Sequence, residues 1–300
     1  MIKIPFRLTG AALNSLALAL ALASVGLLGG CSSFLNSESK AGEFPGGVVP
    51  PPDQVYALGV SRMQKGDYSR AAKDFAAIEE NYPYSTWATH AELLTGYAQY
   101  KDLDYDDAVS SLDRFIQLHP ENQEVAYAYY LKALCFYERI DDVQRDQSAT
   151  YQTIAALNDV ITRFPDSSYA HDARIKLRLA YNRLAGHDME IARYYEKQHL
   201  YAAAVGRYQD VITNYQTTTY TPEAMERLTE VYLDLGLTDE AVRTASVLGY
   251  NYPGSPWYED AYSKLQNHGL VTVASETQAG DGSAAAPPAP PPHHHWYWPF

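Results

Sequence analysis

One pair of spacings recurs along the middle of this 300-residue chain and restricts the folds open to it. Tyr68 and Ala71 lie three residues apart, and Pro83 follows twelve residues after the alanine; Tyr105, Ala108 and Pro120 repeat both intervals. Small residues at such positions let two antiparallel helices approach closely, large apolar residues fill the gap between them, and the proline ends the second helix. Related frames recur around Ala204, where Gln216 replaces the proline, and around Ala241 with Pro253.

A further copy, third in chain order, is stretched. Its predicted helices are Glu124–Ile140 and Thr153–Phe164, the second ended by Pro165. Between them lies an extra polar segment of about eight residues, Asp141–Ser148. A long helix, Tyr169–Ala185, is expected between the third and fourth copies. No segment shows sustained strand alternation.

This pattern resembles the tetratricopeptide repeat, whose period is about 34 residues. The predicted fold is therefore all-α, a superhelical solenoid of about five helix pairs in which each pair buries a face on its neighbours. A helix-pair domain over residues 53–268 is long enough to bury a sizeable core.

The start of the chain has the pattern of an export signal. Lys3 and Arg7 precede an uncharged apolar run, and Leu28-Gly29-Gly30-Cys31 closes it. That ending resembles a bacterial lipobox, which predicts residues 1–30 as a cleaved signal peptide and Cys31 as the lipidated residue. The alternative is a plain transmembrane anchor. Because Ser32 rather than aspartate follows the cysteine, we expect acyl-chain anchoring at the outer membrane, with the protein facing the periplasm.

Composition distinguishes two further segments, one before and one after the predicted helix-pair domain. Residues 31–52 are rich in Ser, Gly and Pro and are predicted to be a flexible tether, and residues 269–300 are predicted to be a disordered Ala/Pro-rich tail. Removing the signal changes the formal charge from −13 to −15, because the signal carries two positive charges and no negative one. Such acidity disfavours nucleic acid or an anionic membrane surface as a partner. Cys135 falls in an apolar helical run and is predicted to be buried and inert.

The first helices of the early pairs carry many tyrosines. Projection onto the repeat places a set of these rings on the concave side as a predicted peptide groove: Tyr56, Tyr97, Tyr100, Tyr127, Tyr130 and Tyr137. A tyrosine offers a flat apolar ring and a hydroxyl that can bond a peptide backbone. The alternative is that these side chains only pack between helices. In the last pair the equivalent face carries Glu223, Glu226, Glu230 and Asp234, for which another partner or water is expected.

The sequence contains few signals of catalysis or metal binding. The sequence contains no Gly-x-Ser-x-Gly, His-Glu-x-x-His or P-loop pattern, and six histidines outside the C-terminal segment lack metal-ligand spacing. His293-His294-His295 could hold a metal loosely, but an incidental run is the simpler interpretation. We therefore predict a protein that is not an enzyme and has no cofactor or metal.

Several segments together resemble one family. They are Pro83-Tyr84-Ser85, Arg114-Phe115-Ile116, Ala126–Tyr130, Arg163–Ser167, Ala192-Arg193-Tyr194-Tyr195, and Tyr201 with Arg207. In this order and behind a lipobox they resemble the BamD family, the tetratricopeptide lipoproteins of the outer-membrane β-barrel assembly (BAM) machine. The run from Leu248 to Tyr258 resembles its alphaproteobacterial branch.

The resemblance implies a scaffold and receptor. Its C-terminal repeats would dock onto the periplasmic POTRA domains of BamA, with Arg193 and Arg207 as docking residues. It would also contact other lipoproteins of the complex. The N-terminal repeats would receive the aromatic-ended C-terminal segments of unfolded outer-membrane proteins. The alternative is a tetratricopeptide adaptor for cell-wall hydrolases or pilus assembly.

Overall fold

The computed structural model describes Phe44 and residues 48–271, and these residues form helices joined by short turns. The helices are α1 (Pro52–Gln64), α2 (Tyr68–Asn81), α3 (Ala88–Lys101), α4 (Tyr105–Leu118), α5 (Val125–Tyr137), α6 (Ser148–Arg163), α7 (Ser168–Lys197), α8 (Tyr201–Asn214), α9 (Thr221–Asp234), α10 (Thr238–Asn251) and α11 (Pro256–Asn267). The described part of the chain contains no strand, which confirms the all-α prediction.

The helices fall into five consecutive pairs, α1–α2 to α9–α10, followed by α11. They belong to two compact units that divide at Leu184 and Ala185, within α7. The first unit holds α1 to α6 and the start of α7, and the second holds the end of α7 and α8 to α11. The described helices run from Pro52 to Asn267, within the range of the predicted helix-pair domain, 53–268, except for Pro52 itself.

The small residue of the repeat marks the tightest place in each pair. Ala71, Ala108, Thr153, Ala204 and Ala241 occupy equivalent positions in the second helices, and all five are fully buried. On the first helix, Gly59 faces the Phe75 ring and Gly96 faces Leu112. A Cβ atom at Gly96 would lie 2.8 Å from the Leu112 Cγ, so the two helices approach closely only because that position has no side chain.

A common turn joins the two helices of four pairs. Its central residue lies in the left-handed region, with φ of 76° at Gly66 and 74° at Gly236, but also 67° at Leu103 and 58° at His199. The residue after it donates its amide hydrogen to a carbonyl five positions earlier, as Asp67 does to Arg62 at 2.9 Å. This is the Schellman arrangement that ends a helix.

The second helices also end alike, at an aromatic residue. Tyr82, His119, Phe164, Tyr215 and Tyr252 all leave the helical region, with φ between −135° and −127° and ψ between 41° and 56°. Proline follows four of them and restricts the backbone of the residue before it. The prediction that the prolines end these helices is therefore confirmed.

The third pair differs from the sequence-based expectation. The turn between α5 and α6 runs from Glu138 to Gln147, and α6 begins at Ser148, five residues before the predicted Thr153. Seven of the eight residues of the predicted polar insert therefore lie in the turn, and only Ser148 belongs to the helix. The buried side chain of Gln147 donates to the backbone carbonyls of Asp142 (3.0 Å) and Arg145 (2.9 Å) and so orders the turn.

Both edges of the predicted domain extend slightly further than its composition suggests. Phe44 is 8% exposed and belongs to the apolar cluster of the first pair, and Tyr82 donates its hydroxyl to the carbonyl of Val49 at 2.9 Å. Leu270 and Val271 pack against the core of the second unit. The predicted signal peptide, Cys31 and the segment from Thr272 to Phe300 lie outside the described residues.

The close approach at Gly96 leads to a stability prediction. Gly96→Ala should lower the free energy of unfolding by about 1–2 kcal/mol, because the new methyl group overlaps Leu112. Gly206→Ala is the control: Gly206 lies within α8, and a Cβ atom there meets nothing within 4 Å. That variant should be more stable by up to about 1 kcal/mol through helix propensity. Chemical denaturation followed by circular dichroism measures both, and equal shifts would contradict the packing argument.

Candidate functional site

Five of the predicted groove tyrosines lie together in the first unit. We call them, with Tyr169 of α7, the tyrosine cluster: Tyr97 and Tyr100 on α3, Tyr127, Tyr130 and Tyr137 on α5, and Tyr169. All six side chains are half-buried. Their helices are held by a core of fully buried residues that includes Leu112, Phe115 and Leu157.

Ring contacts join α5 to α7. Tyr169 lies 5.5 Å from Tyr127 and 5.3 Å from Tyr130 between ring centroids, and the second pair is stacked at 27°. Burial is the main reason that the pKa values of Tyr127 and Tyr130 are raised far above their ordinary value; the hydroxyls of Tyr97 and Tyr100 add to the effect at Tyr127, and the hydrogen-bonded Asp172 adds to it at Tyr130. Burial likewise raises the pKa of Tyr100 to about 12. The hydroxyls of Tyr100 and Tyr127 therefore stay protonated and can donate hydrogen bonds to a ligand.

A polar group borders the rings on α7. The Tyr130 hydroxyl donates a hydrogen bond to Asp172, whose carboxylate also pairs with the Lys176 ammonium at 3.1 Å. Lys176 in turn lies 5.2 Å from the centre of the Tyr137 ring, close enough for a cation–π contact. The hydrogen bond from Tyr130 is the main reason that the pKa of Asp172 is below its ordinary value.

Tyr56 lies apart from the tyrosine cluster, in a second aromatic group. Its ring is 4.7 Å from Trp87, 5.6 Å from Phe75 and 6.0 Å from His90. His90 is 2.9 Å from a carboxylate oxygen of Glu124. Burial raises the pKa values of both Tyr56 and Tyr127, and the Glu124 charge adds to each. Five of the six predicted groove tyrosines are thus brought together, and the sixth is near them.

The candidate residues of the second unit are mainly charged, whereas those of the first unit are tyrosines. Arg193 on α7 donates to both carboxylate oxygens of Glu223 at 2.7 Å and to Glu190 at 2.7 Å. Arg227 donates to Glu223 at 2.8 Å, and buried Tyr208 donates its hydroxyl to Glu196. Burial alone would raise the pKa of Glu223, but the two arginines hold it below its ordinary value.

These contacts correct the expectation for the acidic face of α9. Glu223 is 8% exposed and Glu226 is 3% exposed, so neither faces water. Glu226 pairs with Lys264 of α11, which also binds Glu230 at 2.5 Å. Of the four predicted acidic residues only Asp234 is exposed. The polar cavity beside this network measures about 380 Å³ and is lined by Arg193, Glu196, Lys197, His199, Tyr201, Arg227, Glu230 and Asp234.

Arg207 also has an internal partner. Its guanidinium donates to Asp188 of α7 at 3.0 Å, and its side chain remains 41% exposed. Asp210 lies three residues away on the same helix, but the ion pair is formed with Asp188. Burial is the main reason that the pKa of Asp188 is raised, and Arg207 opposes this.

Comparison with known proteins decides the family. A family model described as outer membrane lipoprotein (YfiO) matches residues 50–248. The outer membrane protein assembly factor BamD of Caulobacter vibrioides is 46% identical over 230 residues, which cover 77% of this chain and 75% of that protein. The chain belongs to the BamD family. BamD of Rickettsia prowazekii is 43% identical and covers 83% of this chain and 96% of its own length. BamD of Neisseria meningitidis serogroup A is 34% identical, with coverages of 70% and 82%.

The BamD-family match contains every predicted site residue except Cys31. The described residues contain no helix long and apolar enough to cross a membrane, and no group of three or more metal-ligating side chains occurs among them. Cys135 is fully buried, and burial raises the pKa of its thiol to about 12, in agreement with the predicted inert residue. Sequence reasoning missed Tyr169, Asp172 and Lys176, although their spacing of three and four residues places them on one helix face.

The charge network predicts a pH-dependent stability. Glu223→Gln should lower the free energy of unfolding by about 2 kcal/mol at pH 7, because two half-buried arginines lose their shared carboxylate. The folded pKa of Glu223 is depressed, so its contribution is present above the ordinary glutamate pKa and is lost as the pH falls below it. The difference between wild type and variant should therefore shrink towards acid pH.

Glu240→Gln serves as the control for this measurement. Glu240 forms an exposed pair with Arg243, and such pairs contribute little to stability. Urea unfolding of the three proteins between pH 3 and 8 gives the comparison. A Glu223→Gln effect as small as the control, or one that grows at acid pH, would show that the network does not stabilise the fold.

Proposed function

We propose that this protein is an outer membrane protein assembly factor. It is a non-catalytic scaffold, anchored in the outer membrane through acyl chains on Cys31, that faces the periplasm and works within the BAM complex. The carrying observation is its membership of the BamD family across most of the folded chain. The alternative role, an adaptor for cell-wall hydrolases or pilus assembly, has no observation in its favour.

The tyrosine cluster supports a receptor role for the first unit. A ligand that carries aromatic or aliphatic side chains can pack against the six rings, and the protonated hydroxyls can donate to its backbone carbonyls. The C-terminal segments of unfolded outer-membrane proteins, which end in an aromatic residue, have this chemistry. Tyr56, Trp87 and His90 would extend the same surface towards Glu124.

The second unit is the proposed docking surface for the POTRA domains of BamA and for other lipoproteins of the complex. Of the two predicted docking arginines, Arg207 is the better candidate. It has a single hydrogen bond, to Asp188, and is more exposed than Arg193, which is held by Glu190 and both oxygens of Glu223. To pair with an acidic residue of a partner, Arg207 would have to give up one carboxylate, that of Asp188, whereas Arg193 would have to give up two.

A binding measurement tests the receptor role. Replacing Tyr97, Tyr100 and Tyr130 together by leucine keeps most of the apolar volume but removes the rings and the hydroxyls. Affinity for a labelled peptide with an aromatic-ended β-strand sequence should fall about 10- to 100-fold, as is usual for aromatic contacts at the centre of an interface. Fluorescence anisotropy gives the dissociation constant, and circular dichroism reports whether the fold is retained.

Tyr151→Leu is the matched control, because Tyr151 on α6 is 59% exposed and outside the tyrosine cluster. It should bind the peptide as the wild type does. If the triple variant keeps wild-type affinity with its helical spectrum intact, the tyrosines serve packing alone and the receptor role fails.

Purification of the tagged protein from outer membranes tests the docking role and the function together. A barrel insertase should co-purify in stoichiometric amount. Arg207→Gln should reduce its recovery, because the partner loses a charged contact. Asp188→Asn breaks the same internal ion pair but keeps the arginine, so recovery should stay at the wild-type level.

The paired variants separate docking from stability. Equal losses from Arg207→Gln and Asp188→Asn would mean that the ion pair matters only to the fold of the second unit. Undiminished recovery from Arg207→Gln would place the contact elsewhere, with Arg193→Gln as the next variant. A cell-wall hydrolase as the dominant partner would overturn the proposed function.

A further inference from the structure

Residues 296–300 are the most aromatic stretch of the chain and have no assigned role. They read Trp-Tyr-Trp-Pro-Phe, after His293-His294-His295 and the Ala/Pro-rich run 284–292. Each exposed aromatic side chain leaves a large apolar area in contact with water, and burial of that area against a protein surface is favourable. The run before it cannot supply such a surface, because alanine and proline bury little area.

We propose that residues 296–300 bind the tyrosine cluster of this protein and compete there with incoming ligands. The inference rests on the proposed function, in that it assigns a second ligand to the same receptor site. The cluster presents six half-buried rings with hydroxyl donors, and aromatic pairs gain stability beyond the area they bury.

The segment avoids like-charge repulsion with two carboxylates near the tyrosine cluster. The carboxylate of Glu124 is close enough to Tyr127 to raise its pKa, and that of Glu138 acts on Tyr100 in the same way. The segment 282–300 contains no acidic residue and carries three histidines directly before its aromatic residues. The aromatic rings of residues 296–300 can therefore contact those of the tyrosine cluster while the imidazoles lie towards the two carboxylates. An acidic segment would be repelled by the same carboxylates.

Three single tyrosines and the cavity of the second unit fit the segment less well. The exposed tyrosines Tyr84, Tyr151 and Tyr250 are single residues rather than parts of the tyrosine cluster. The cavity of the second unit is lined by charged and polar groups. In an extended polyproline conformation, the chain between Val271 and Trp296 would span about 75 Å.

A tethered ligand acts at a high effective concentration, on the order of 1 mM for a flexible linker. If the free segment binds with a dissociation constant of about 0.1 mM, the tether lowers the apparent affinity for an added peptide about tenfold. Weak binding of the segment is thus enough to exclude from the tyrosine cluster those ligands whose affinity is no higher than its own. Ligands of higher affinity displace the segment.

Photocrosslinking of the full-length chain tests the contact. A benzophenone amino acid in place of Tyr297 should form crosslinks, identified by mass spectrometry, to peptides of α3, α5 or α7 that contain the tyrosine cluster. Tyr127→Leu together with Tyr130→Leu should abolish them, whereas Tyr151→Leu should not. Crosslinks that are absent, or that form only to other helices, would overturn the proposal.

Competition supplies the second readout. Replacing Trp296, Trp298 and Phe300 by alanine should raise the affinity for the aromatic-ended strand peptide about tenfold. Replacing Pro290, Pro291 and Pro292 by alanine keeps the aromatic residues and should change it little. An unchanged affinity in the aromatic variant would contradict competition.

The two readouts separate this proposal from the receptor role. Peptide binding without crosslinks to the tyrosine cluster would leave the receptor intact and overturn the binding of residues 296–300. Crosslinks without any binding of the strand peptide would keep the internal contact and overturn the receptor role.

Discussion

The contact between a very small residue on one helix and a large side chain on the next is the interaction on which the helix pairs depend. Gly59 against Phe75 and Gly96 against Leu112 bring the helices of the first two pairs close together, and Gly249 makes the same kind of contact with Tyr258 of α11. Tyr100 follows Gly96 by four residues, and Tyr137 follows the buried Ala133 by four, so these tyrosines border the packing face of their helices. The packing rule and the candidate site therefore come from one helical periodicity.

The two units use different interactions at the equivalent faces of their helices. In the tyrosine cluster of the first unit, half-buried rings contact one another, and Asp172 and Lys176 add charge beside Tyr130. In the second unit, Glu223 and Glu226 are buried and receive arginine and lysine side chains from α7, from α9 itself and from α11. Rings suit a ligand whose sequence varies, since every apolar side chain gains from contact with them. Ion pairs suit a partner with a fixed surface, since they demand a defined geometry.

Much of the fold follows from spacings within about forty residues, which is why the sequence predicted it. The five buried positions equivalent to Ala71 and the ends of the second helices needed only the repeat period. The predicted start of α6 was wrong because Asp146, Gln147 and Ser148 are residue types common in loops. In the structure Asp146 accepts a hydrogen bond from the Ser148 amide at 2.9 Å, and Gln147 is the N-cap residue of the helix. The expectation for the acidic face of α9 was also wrong, because two of its cations, Arg193 and Lys264, come from residues 30 to 38 positions away, a distance over which one sequence carries no pairing signal.

The sequence predicted most residues of the tyrosine cluster but not the contacts that hold their rings. Projection onto the repeat identified five rings of the tyrosine cluster, but the residues that fix them, Tyr169, Asp172 and Lys176, belong to the next repeat. Their contacts matter for binding because a ring that is already stacked or hydrogen-bonded loses little freedom when a ligand arrives. A surface of free tyrosines would have to order each ring during binding. The half-burial of these side chains is therefore compatible with recognition, since the buried half holds the ring in place and the other half remains available for contact.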